Sequence, residues 1–120
     1  MSKITRIVEE YIQSNIPIQN ILKARIGHFI ELLGRIPTLH ECQLILKSAV
    51  ITNYALLYED FVCESKEQGI AYPSEYASRM LQDLALTDWE ALFPSILPLV
   101  KEVNLHSGRW QLDLELVRNV

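Results

Sequence analysis

The stretch TLHECQLILKSAVITNYALLYEDFVCESKEQ, residues 38–68, decides the fold. It opens on Thr38-Leu39-His40-Glu41, where the Thr hydroxyl can accept the backbone N–H of Glu41 while the Glu carboxylate reaches back to the Thr N–H. No Pro or Gly follows until Gly69, so the spacing predicts one helix from Leu39 to Gln68. Between Leu44 and Val62 it is apolar on nearly every face, the pattern of a central helix surrounded by others.

Such a rod outgrows its body. It would measure ~45 Å at the α-helical rise, whereas a compact chain of this length has a diameter of roughly 35 Å. The helix therefore bends or breaks near Thr52-Asn53, or its projecting end is covered by another chain, because exposed apolar area of that kind marks an interface.

Before this segment, Ile4, Ile7, Val8, Tyr11 and Ile12 form a helical stripe with Ser2 or Thr5 near its start. Pro17 pushes Ile16 away from helical angles and stops that helix near Asn15. A second stripe runs from Ile18 to Leu33, and Gly34 suits the left-handed position that ends a helix. After it, residues 68–73 make a turn, and Ser74 is placed to cap a short helix through Tyr76, Met80, Leu81 and Leu84. Thr87-Asp88-Trp89-Glu90 repeats the Thr-x-x-Glu cap, and Pro94 and Pro98 predict a break or kink soon after.

The chain end changes period. Trp110-Gln111-Leu112-Asp113-Leu114-Glu115-Leu116 alternates apolar and polar, as a half-buried strand does. Val103 and Leu105 alternate with Asn104 and His106, with Ser107-Gly108 as the turn, so a C-terminal β-hairpin of residues 99–105 and 109–117 is predicted. The fold class expected is mainly α (α+β): four to five helices around the long central one, with the hairpin at the end. The 120 residues, 49% of them hydrophobic, fit one domain, its helical part at 1–98 and its hairpin at 99–117.

The formal charge of −4 is unevenly spread. Residues 1–50 carry six basic and four acidic side chains, residues 51–105 three and nine, and residues 106–120 two and two. An acidic second half repels phosphate backbones, and the helix opening at Leu39-His40-Glu41-Cys42 lacks the basic N-terminal end of a DNA-reading helix. Nucleic-acid binding is disfavoured. Cys42 and Cys63 are ~30 Å apart on one straight helix and read as buried, reduced thiols. The longest uncharged apolar stretch, residues 48–58, is too short for a membrane span, and the N-terminus lacks the apolar core of a secretory signal. A cytoplasmic compartment and no membrane partner are expected.

No motif names a chemistry. His40-Glu41-Cys42 lacks the second His of a zincin, since position 44 is Leu44, and His28, Cys63 and His106 keep no metal-ligand spacing, so no metal is expected. Four scattered glycines build no phosphate loop, no nucleophile elbow occurs, and neither a cofactor nor a catalytic residue is assigned. The aromatics Trp89, Phe93 and Trp110, with Leu112 and Leu114 on the hairpin, are the candidate partner-binding residues, because Trp is enriched where interfaces concentrate their energy. Their competing role is to fill the chain's own core.

The function expected is a non-enzymatic protein-interaction module, an adaptor, regulator or assembly factor, acting as a homodimer through paired hairpins or long helices. One alternative is an acidic inhibitor or immunity-type protein that masks a basic partner with residues 51–105. Another is a small enzyme whose site is assembled from scattered residues such as His28, His40 and Cys63.

Overall fold

The computed structural model describes the backbone of residues 2–107 and the side chains of residues 2–104. The expected α+β class with four to five helices is corrected: among the described residues there are six α-helices and no strand, because the expected central helix is two helices and the expected first strand is helical. Helix α1 spans Lys3–Ser14, and its N-terminal donors are met by the Ser2 hydroxyl, which accepts the Thr5 N–H at 3.2 Å. Helix α2 spans Ile16–Leu33. The interruption between them falls on Asn15, not on Ile16: Asn15 takes extended backbone and its side chain accepts the Ile18 N–H at 3.0 Å. Pro17 sits in the first turn of α2, where a missing N–H costs nothing. Gly34 ends α2 at φ 68°, the left-handed conformation expected there.

Helix α3 spans Leu39–Thr52 and opens on the predicted reciprocal cap. Thr38 donates its N–H to Glu41 Oε1 at 2.9 Å, and Glu41 donates its own to Thr38 Oγ1 at 3.2 Å. The long central helix is not continuous. It breaks at Asn53, one of the outcomes the size argument allowed, and resumes as α4 over Tyr54–Glu67. The homodimer inferred from an oversized rod loses that motive, although the molecule is elongated, 51 × 23 × 19 Å along its principal axes.

Helix α5 spans Pro73–Gln82, and its cap position is Tyr72 without a side-chain hydrogen bond, so Ser74 lies inside the first turn instead of capping it. A 3-10 turn over Asp83–Leu86 and another over Glu90–Leu92 lead into α6, Phe93–Ser107. The Thr87 cap does not form: Asp88 Oδ1 accepts the Ala91 N–H at 3.3 Å, while the Thr87 hydroxyl is buried with no hydrogen-bond partner. Pro94 lies in the first turn of α6 and Pro98 inside it, where it leaves the carbonyl four residues back without its helical donor.

The predicted C-terminal hairpin is overturned in its first strand, because residues 99–105 belong to α6. Ile96, Leu99 and Val100 are buried, and with Val103 they recur at helical spacing on the face turned to α2. A Cβ built on Gly27 of α2 would stand 3.6 Å from Val103 Cγ1, so the two helices meet closely there. Residues 109–117, the second expected strand, lie outside the described residues.

Helix α2 packs against both α3 and α6, α4 pairs with α5, and α1 lies against α6 and the first 3-10 turn. Val8, Ile18, Leu22, Leu46, Leu57 and Phe61 are fully buried in one continuous core. Each such aliphatic or aromatic side chain contributes about 2 kcal/mol by leaving water. Lys23 bridges α2 to α6 through Glu102 at 3.1 Å on the outside of this packing.

Candidate functional site

The break at Asn53 lies beside an apolar groove. The Asn53 backbone N–H donates to the Ala49 carbonyl at 3.1 Å, and its side-chain Nδ2 donates to the same oxygen at 2.8 Å. A short amide that reaches its own backbone in this way competes with helix propagation, and Asn53 departs to φ −106°, ψ 38°. The last turn of α3 and the first residue of α4 then stand over the end of α5 and the segment after it.

Between them lies a groove of about 510 Å³. Leu81, Leu84 and Trp89 line it as buried or half-buried apolar side chains. Ile51 and Tyr54, one on each side of the break, stand at its edge with 45% and 59% of their surface exposed. Lys47, one turn before Ile51 on α3, adds the groove's positive charge. Among the described residues Lys47 makes no ion pair; the two pairs there are Lys23 with Glu102 and Arg35 with Glu41. Leu86, next to the lining residue Ala85, is 70% exposed and extends the apolar surface.

Of the candidate partner-binding residues, Trp89 lines this groove. Phe93 is half-buried against the core at the start of α6 and is not among the lining residues. Trp110, Leu112 and Leu114 lie outside the described residues. Sequence reasoning missed Ile51, Tyr54 and Lys47 as site residues. The signal for Ile51 and Tyr54 was the surplus of apolar positions on both sides of Asn53, more than one buried helix face can use; Lys47 had none.

The scattered residues offered for chemistry occupy separate places. His28 is exposed on α2, His40 is exposed in the first turn of α3, and Cys63 is exposed on α4. The expectation of two buried thiols therefore holds for Cys42 and fails for Cys63. Burial, with a smaller effect of the Glu41 charge, pushes the Cys42 thiol up to about 12, which makes it a poor nucleophile. Among the described residues no three His, Cys, Asp or Glu side chains converge as metal ligands. No described helix is long and apolar enough to cross a membrane. Compared with protein-family models, with curated proteins and with solved structures, the chain matches none.

Proposed function

We propose that this chain is a non-enzymatic protein-interaction module whose groove at the Asn53 break receives an amphipathic helix of a partner protein. The occupant we infer carries apolar side chains on one face and a carboxylate positioned for Lys47. One observation carries the reading: Ile51 and Tyr54 remain exposed beside a groove already lined by Leu81, Leu84 and Trp89. The volume lies within the range of about 300–1,000 Å³ that suits bound groups. An apolar trough of this kind is what a helix with anchors at i, i+3, i+4 and i+7 fills. Tyr and Trp supply large contact area at small entropic cost, and a cation without a protein counter-charge selects an acidic neighbour on the incoming helix.

The test is selection from a displayed library of amphipathic helices, counter-selected against Ile51→Glu, a change at an exposed position that spares the core. Enriched peptides are expected to carry an apolar face and an acidic residue, and to shift Trp89 emission in a Trp110→Phe background. Lys47→Glu should weaken them roughly tenfold. Peptides that bind wild type and Ile51→Glu alike, or none enriched at all, overturn the reading. Pairing of two copies through the groove, the homodimer form of the proposal, would instead give a concentration-dependent mass in light scattering that Ile51→Glu abolishes.

A further inference from the structure

A second concavity, of about 240 Å³, opens between α1 and α4 and shares no residue with the groove. Glu10 faces it from α1, and Asp60, Glu64 and Glu67 face it from α4. Among the described residues none of these four carboxylates forms an ion pair; Glu64 accepts only the neutral side chain of Gln68, at 3.2 Å.

Acidic side chains on a helix face are ordinary. What sets this cleft apart is Tyr11, which also lines it. Tyr11 is 1% exposed, and its hydroxyl is buried with no hydrogen-bond partner. Leaving such a group unpaired costs about 1–3 kcal/mol, and the phenol sits within reach of the Asp60 charge. Burial first, then Asp60, pushes the Tyr11 phenol up to about 12, so it stays neutral and its oxygen remains an acceptor. Asp60 and Glu64 are both raised from their ordinary values, by burial first and by their acidic neighbours second. The cleft thus gathers acidic acceptors, and no Lys, Arg or His stands among its lining residues.

We propose that the α1–α4 cleft binds an alkylammonium or guanidinium group, which donates N–H bonds to the Asp60 and Glu64 carboxylates and to the Tyr11 oxygen. A bare metal ion is the poorer match, because among the described residues no three acidic side chains converge on one point. A nitrogen cation presents several donors in separate directions and matches acceptors spread along a wall. The group arrives either on a free polyamine or on the Lys or Arg side chain of a basic polypeptide.

Calorimetric titration of the full chain with spermidine, and separately with tetralysine, at fixed ionic strength tests the assignment. Binding at one site is expected. Asp60→Asn should weaken it roughly tenfold or more, and Tyr11→Phe about fivefold. Glu67→Gln, at an exposed position, is the second variant that must weaken binding, with circular dichroism confirming that each variant is folded. Tighter binding of spermidine identifies a free polyamine as the source, and tighter binding of tetralysine a basic chain. Wild-type affinity in both carboxylate variants, or displacement of either probe by magnesium chloride at matched ionic strength, overturns the proposal.

Discussion

The buried hydroxyl of Thr5 accepts the backbone N–H of Asp88 at 3.0 Å, across 83 residues of sequence. The same oxygen lies 2.7 Å from the Ser2 hydroxyl, so the cap of α1 and the segment carrying Trp89 share one small polar cluster. Thr5→Val keeps the shape and removes the acceptor. Urea denaturation is expected to show a loss of about 1–3 kcal/mol, and Trp89 emission in the Trp110→Phe background should move with it. Thr5→Ser, which restores a hydroxyl, should recover most of both.

The α3 cap makes stability depend on pH in a definite direction. The Arg35 side chain, bonded to Glu41 at 2.6 Å and 3.0 Å, is the main cause that holds the Glu41 carboxyl down at about 2; the Thr38 bonds act in the same sense. A carboxyl depressed in the folded state adds stability that is complete above its unfolded value and disappears as pH falls through the folded one. The urea midpoint of the wild type should therefore drop between about pH 4.3, the ordinary Glu value, and about pH 2. Glu41→Gln should lower the midpoint at pH 7 and remove this part of the acid dependence. Thr38→Ala should cost about 1 kcal/mol.

Asp60 and Glu64 carry the opposite sign. Their folded pKa values are raised, so the native state binds protons more tightly than the unfolded chain, and stability falls as pH rises through that window. Asp60→Asn should raise the urea midpoint at pH 7 and leave the midpoint below the carboxylate range unchanged.

Tyr11→Phe deletes the unpartnered hydroxyl and keeps the buried ring. Thermal unfolding should show a gain of about 1 kcal/mol. If the cleft takes a nitrogen cation, the same substitution gains stability and loses affinity, the trade expected where a polar group is buried for a ligand's sake.

Gly34→Ala places a Cβ at φ 68° and should cost about 1–2 kcal/mol in denaturant unfolding.

What the sequence disclosed was local chemistry. The Ser2 cap, the Thr38–Glu41 box and the Gly34 stop are each settled by donors and acceptors within a few residues, and the residue types declare them. Asn53 was visible as a weak point because an amide followed a β-branched Thr52 in an over-long rod, yet only packing decides between a bend and a break. The error at residues 99–105 has a physical cause. Val103-Asn104-Leu105-His106 alternates over four positions, but Ile96, Leu99, Val100 and Val103 repeat at helical spacing over a longer window, and burial against α2 favours the longer pattern. The Thr87 cap failed for a related reason, since Asp88 next to it offered the stronger acceptor.

Neither concave surface was legible beforehand. The groove draws Lys47 and Ile51 from α3, Tyr54 from α4, Leu81 from α5 and Trp89 from the segment before α6, and no spacing in a linear string brings those five together. The acidic cleft faces Glu10 and Tyr11 with residues fifty positions away. The tally of acids over residues 51–105 announced surplus charge there without locating the wall that Asp60, Glu64 and Glu67 form opposite Glu10.

Asn53 has a consequence beyond the helix it ends. An unbroken cylinder is convex along its whole length and offers a visitor no hollow to enter; the interruption leaves Ile51 and Tyr54, one from each piece, on the rim of one. The residue at the interruption need not touch anything that settles in this groove, and replacing it would change the shape of the recognition surface while leaving every side chain on that surface chemically intact.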